Sequence, residues 1–148
     1  MDRCLGVKKR SKRKLPAPRL FLRDEATVRD RSIEVVVPVF TVSEANCFEH
    51  WTAKSKRHST QKFQVRMALQ RFLAPGTLPC QIVLTRYAPK LLDKRDNLPM
   101  AFKYITDQIC ELLIPGLAAG RADDDDRISV TYAQEESTRY GIKIKITW

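Results

Sequence analysis

Apolar and polar residues alternate in four short stretches of the chain and recur at helical spacing in two longer ones. Residues 32–40, SIEVVVPVF, are rich in β-branched side chains, with Ile33, Val35, Val37 and Val39 on one face. That pattern predicts a first strand, and Pro38, which has no amide to donate, puts its far end at an edge or bulge. Ser43 or Asn46 is placed to cap a helix in which Phe48, Trp51, His58, Val65, Leu69 and Phe72 recur as far as Leu73, with Ser59-Thr60 a point of interruption. Pro75, Gly76 and Pro79 then punctuate a turn. A second strand follows at residues 80–87, where Cys80, Ile82 and Leu84 alternate with Gln81, Val83 and Thr85.

The second helix runs from Asn97 to about Leu113, with Leu98, Phe102, Ile105, Ile109 and Leu112 as its apolar stripe and Pro99 tolerated in its first turn. Residues 127–134 alternate through Ile128, Val130 and Tyr132 and read as a third strand. Residues 141–147 read as a fourth, with Ile142, Ile144 and Ile146 inward and Lys143 and Lys145 outward. The linker 135–140 suits a hairpin with a longer loop. The order β-α-β-α-β-β predicts an α+β domain, a mixed sheet of about four strands with two main helices covering at least one face.

Charge adds a partner to this picture. The 148-residue chain carries a formal net charge of +10, a balance for which nucleic acid is the commonest partner and an anionic membrane surface the next. Residues 1–31 hold eleven Lys and Arg against four acids, with no periodicity, and are expected as a flexible basic arm before a domain at 32–148. From His50 through Leu92 there is no Asp or Glu at all, while Lys54, Lys56, Arg57, Lys62 and Arg66 crowd the first helix. An ordinary solvated helix mixes signs for i, i+4 pairing, so these five residues are the expected DNA-backbone contacts. No apolar run approaches membrane-spanning length. The four cysteines (Cys4, Cys47, Cys80 and Cys110) form no C-x-x-C pair, which points to core thiols in a reducing, cytoplasmic setting.

The acids are concentrated in one stretch, residues 91–126. Asp93 and Asp96 stand at a helix start, where the dipole favours negative charge. Asp123, Asp124, Asp125 and Asp126 run consecutively before the third strand. If that strand lies beside the second, both groups converge at one edge of the sheet. Four carboxylates within ~4 Å repel by roughly 4 kcal/mol per pair at an effective dielectric near 20, so such a cluster requires a cation. Magnesium is the fitting one, because it takes one or two carboxylates and substrate phosphate. Lys103 falls on the same helical stripe as Asp96, with Asp107 one turn beyond. The plain alternatives are an Asp96-Asn97 helix cap, a solvated aspartate loop and a Lys103–Asp107 surface pair.

The stretch KLLDKRDNLPMAFKYITDQICELL…GRADDDDRISVTYAQEE resembles the RusA-like Holliday-junction resolvases, especially their phage and prophage members. Those carry an aspartate pair ending in Asp-Asn, a helix with a lysine, and a paired aspartate before a strand. The resemblance covers residues 32–148. It implies a homodimeric, magnesium-dependent endonuclease that makes paired nicks across four-way DNA junctions in recombination and repair. The catalytic and metal-binding carboxylates it implies are Asp93, Asp96 and two of the tetrad, Asp124 and Asp125. Two features depart from the family pattern: the first two aspartates stand further apart, and Met100 sits where the lysine is expected, leaving Lys103 as a shifted equivalent, the expected catalytic lysine that orients the phosphate or stabilises developing charge. The alternative is a basic nucleic-acid-binding module without catalysis.

Overall fold

The computed structural model describes residues 27–29, 31–117 and 121–148. Its strands are β1 (Thr27–Arg29), β2 (Ser32–Val37), β3 (Cys80–Ala88), β4 (Ile128–Glu136) and β5 (Gly141–Thr147), and its helices are α1 (Trp51–Leu69) and α2 (Asn97–Leu113). The strands form one mixed sheet in the order β1-β2-β5-β3-β4. The α+β class, the four expected strands and the two helices are all present. The fifth strand, β1, is a short edge paired antiparallel with β2. It lies inside what the sequence suggests is arm; residues 1–26 of that arm lie outside the described residues.

Two-residue alternation builds the core. Ile33, Ile146 and Ile82 align in one row across β2, β5 and β3, and Val35, Ile144 and Leu84 in the next. All six are buried. Val65 and Leu69 of α1, with Leu98, Phe102, Ile105 and Ile109 of α2, close over them in one cluster. Each such side chain contributes ~1.5–3 kcal/mol when fully buried. The opposite face of the sheet carries Glu34, Val36, Gln81, Ser129, Thr131 and Lys145 exposed to solvent, so both helices lie on one side. No helix among the described residues is long and apolar enough to cross a membrane.

Four local expectations are corrected. The linker 135–140 does not close a hairpin, because β3 lies between β4 and β5. β5 finds a better place in the middle, where both its neighbours present apolar rows to its three isoleucines. α1 starts late: Ser43 precedes a separate 3-10 turn, Glu44–Asn46, and the cap is His50, whose ring accepts from the Thr52 amide at 3.4 Å. Phe48 and Trp51, expected on the buried stripe, are therefore exposed. β2 stops at Val37, one residue before Pro38. Ser59-Thr60 does not break α1, since the Thr60 hydroxyl bonds back to the Lys56 carbonyl at 2.9 Å.

Candidate functional site

Chain direction fixes where each charged group sits. β3 and β4 are parallel neighbours, with Cys80 opposite Ile128 and Ala88 opposite Glu136. A parallel pair needs a crossover, and α2 supplies it. β2 and β3 both pair antiparallel with β5, so β2, β3 and β4 all finish at one edge of the sheet. α2 starts at that edge, and α1 runs alongside in the same direction: His58 stacks on Tyr104 at 3.6 Å between ring centroids, and further along both helices Lys62 meets Glu111 at 3.2 Å. The exit edge therefore gathers the segments that follow β2 and β3, the β4–β5 link and the starts of both helices. In open α/β sheets the strand ends of this sense are where ligands bind.

Asp93 and Asp96 stand at this edge, both exposed. Asp93 acts as the cap: its Oδ1 accepts the Arg95 amide at 2.9 Å and the Asp96 amide at 3.1 Å, while its carbonyl accepts the Leu98 amide at 2.9 Å. Asp96 is the residue at the cap position by backbone geometry, yet its carboxylate makes no capping bond. No partner takes up its charge among the described residues. The Ser43 hydroxyl donates to Asn97 Oδ1 at 2.6 Å and ties the 3-10 turn to the helix start.

Two side chains that the sequence reading passed over hold the loop leading to Asp93. Gln134 grips Leu92 twice, accepting its amide at 2.8 Å and donating to its carbonyl at 2.7 Å. Opposite Gln134 in register, Arg86 is only 4% exposed. Its guanidinium donates to the Lys90 carbonyl at 2.7 Å, to Thr41 Oγ1 at 3.0 Å and to the Thr41 carbonyl at 3.4 Å. No carboxylate pairs with it among the described residues, and burial pulls its pKa down. The signal for both was available, because Arg86 continues the inward phase of Cys80, Ile82 and Leu84, and Gln134 that of Ile128, Val130 and Tyr132.

The tetrad lies at the other end. Asp123 to Asp126 come just before Ile128, beside the start of β3. β4 alone spans about 26 Å, and α2, at 17 residues, about 25 Å. The tetrad strand does lie beside β3, but parallel pairing sends the two acidic groups to opposite ends rather than to one edge. Asp125 is engaged with Arg127, which donates from Nε at 2.9 Å, from Nη2 at 2.7 Å and from its amide at 2.9 Å. Those bonds pull the Asp125 carboxyl down to about 2. Asp123 faces the second half of α2, where burial and then the Asp123 charge push the Asp107 carboxyl up. Asp124 has no hydrogen bond or ion pair among the described residues. Lys103 is exposed over the Tyr104 ring, 6.0 Å from its centroid. Among the described residues no three His, Cys, Asp or Glu gather as a metal site. Within one chain the carboxylates do not fit a shared magnesium ion.

The basic helix is partly neutralised from outside itself. Glu44, in the 3-10 turn, takes Arg57 as a hydrogen-bonded ion pair, Lys54 at 3.2 Å and His58 at 3.1 Å, the last two off the hydrogen-bonding direction. Burial pushes the Glu44 carboxyl up, and Arg57, His58 and Lys54 around it together outweigh that, so it titrates below its ordinary value. Arg57 also meets Glu49 at 3.0 Å. Of the five expected DNA contacts, Lys54, Arg57 and Lys62 thus have acid partners, while Lys56 and Arg66 are exposed with none among the described residues. The acid-free count missed this because Glu44, Glu49 and Glu111 lie outside residues 50–92. Cys80 and Cys110 are buried thiols, and burial pushes Cys110 up to about 12.

No family model matches the chain, and no curated protein matches it.

Proposed function

We propose that the chain is a magnesium-dependent endonuclease of four-way DNA junctions that works as a homodimer, with each metal held between two copies. The supporting observation is the separation of its acids: an uncommitted Asp96 at one end of α2 and an uncommitted Asp124 at the other. Two copies related by a two-fold axis, with their α2 segments antiparallel, bring Asp93 and Asp96 of each chain against the tetrad of the other. An isologous contact makes that meeting twice, which suits a pair of nicks on a junction of similar symmetry. In this reading Asp124 is the ligand of the tetrad, since Asp125 is held by Arg127. Lys103, midway along α2, and the exposed Lys56 and Arg66 contact the DNA backbone.

The rival is a basic nucleic-acid-binding module without catalysis, favoured by the capping bonds of Asp93 and by the Asp125–Arg127 pair. A labelled four-way junction and a linear duplex, incubated with magnesium or with chelator, separate the two. Junction nicking that requires magnesium is expected, with Asp96→Asn and Asp124→Asn each reducing it at least ~100-fold while junction binding persists. Mixing the two inactive variants should restore nicking of one strand, because a mixed dimer then holds one intact composite site. Binding with no nicking would establish the module. Equal cutting of both DNAs would remove the junction preference, and failure of the mixture to nick would remove the shared site.

A further inference from the structure

Four aromatic side chains stand exposed at the exit edge, drawn from separate segments. Phe48 is fully exposed and Trp51 is 73% exposed at the start of α1, Phe40 (47%) follows β2, and Tyr140 (42%) closes the β4–β5 link. Phe40 and Tyr140 are in ring contact, with centroids 4.6 Å apart and planes tilted by 59°. Beside Phe40 lies a groove of about 390 Å³ whose other wall is α1, through Ala53, Lys56, Thr60 and Gln64. The wall is fixed in place, since Gln61 donates to the Phe40 carbonyl at 2.7 Å and Gln64 to the Pro38 carbonyl at 3.3 Å. Cations share the edge with the rings: Lys56 lines the groove, where the one acid, Glu49, is paired with Arg57, and Lys90, Lys94 and Arg95 are exposed on the loop after β3.

A covered protein interface favours a continuous apolar patch, with lysine depleted from its centre. Exposed rings accompanied by lysines fit a ligand that offers aromatic faces and negative charge in alternation. Single-stranded nucleic acid is that ligand, because every base has a π-face and every link a phosphate. A blunt duplex offers the same phosphates but keeps its base faces in the stack.

We propose that this edge binds unpaired bases, with Trp51 and the Phe40–Tyr140 pair as stacking platforms and Lys56 holding the phosphate between them. The inference rests on the nucleic-acid reading above but not on catalysis. It is tested by the affinity of the full chain for a labelled oligo(dT) strand and for a blunt duplex of equal length, using Trp51→Ala, Trp51→Phe and Phe40→Ala. Thermal melting checks that each variant is folded. Either alanine variant should bind oligo(dT) roughly 5- to 150-fold more weakly with duplex affinity unchanged, and Trp51→Phe should retain most of the binding. The chain has two tryptophans, so in a Trp148→Phe background oligo(dT) should quench the emission of Trp51 alone. Equal losses on both DNAs, or no loss on either, would overturn the proposal. So would a Trp51→Ala variant that changes the sedimentation mass and keeps its oligo(dT) affinity, which would show that a second copy covers the ring. Nicking is scored separately: ring-dependent oligo(dT) binding by a chain that never nicks supports the base-binding edge and removes only the nuclease.

Discussion

The two ends of α2 are both rich in carboxylates and are built on different principles. At the exit edge, side chains are spent on holding backbone. Gln134 and Arg86 fix the loop from Lys90 to Leu92, Asp93 caps the turn, and Glu44 gathers Lys54 and Arg57 from α1. At the entry end, the acids are spent on each other and on one arginine: Asp125 on Arg127, Asp123 against Asp107. The contrast shows what a parallel crossover does to a sequence motif. Aspartates that read as one acidic stretch belong to opposite ends of the domain, because a βαβ unit places the start and the finish of its helix a full strand length apart.

The largest expected effect on stability lies at the exit edge. Glu44 is the centre of an ion cluster whose carboxylate side chain is 6% exposed and whose Arg57 partner is 10% exposed. Removing Glu44 leaves Arg57 with Glu49 alone and Lys54 to solvent, at a cost of about 3 kcal/mol, the low end for a broken buried pair. Glu44→Ala should lower unfolding free energy in urea by that amount, while Asp126→Ala at the opposite end should change it by less than ~0.5 kcal/mol. Equal, small losses for both would mean that the cluster behaves as ordinary surface pairs.

Gln134→Ala probes the same end more locally. It deletes both bonds to Leu92 and leaves that amide and carbonyl to find water, which costs about 1–3 kcal/mol. Its sharper signature is positional. Amide hydrogen exchange should accelerate at Leu92, Arg95 and Asp96, which depend on the clamp or on the Asp93 turn behind it, and stay unchanged at Ile128, whose amide bonds to the Asp125 carbonyl at 2.9 Å. Uniform acceleration across both regions would make Gln134 a contributor to global stability and not a local clamp.

How far the sequence revealed this architecture differs between the two helices. α2 matches its expected bounds because Leu98, Phe102, Ile105 and Ile109 meet the core at regular helical phase. α1 did not announce its bounds, because it exposes Phe63 and Met67 on its outer face and buries the polar Gln61, so its apolar period is blurred. The strands were legible from alternation, but their order was not: β5 enters between β2 and β3 by long-range choice among compatible apolar rows, and no local signal encodes it. The separation of the acids follows from the parallel β3–β4 pairing, which is equally long-range. Arg86 and Gln134 were hidden for a simpler reason, since each is a polar residue carrying on an inward phase past the point where the apolar pattern stops.

The smallest expected effects distinguish two carboxylates of the entry end by pH. Asp125, held down to about 2 by its Arg127 bonds, contributes stability that is fully present above the ordinary carboxylate value of 3.8 and is lost as pH falls through about 2. Asp107 has the opposite sign. Burial and the Asp123 charge raise it above 3.8, so its ionised form opposes folding at neutral pH, and stability is regained as pH falls from its raised value toward 3.8. Asp107→Asn should therefore raise Tm at pH 7, on the order of 2 °C, and flatten the gain on mild acidification. Asp125→Asn should leave that gain intact and remove the loss at the acid limit. Melting curves for both variants across pH at low salt provide the comparison. A lower Tm for Asp107→Asn at pH 7 would mean that Lys62 and Lys103 outweigh burial and Asp123, making Asp107 a stabilising partner of the basic helix and not a strained neighbour of the tetrad.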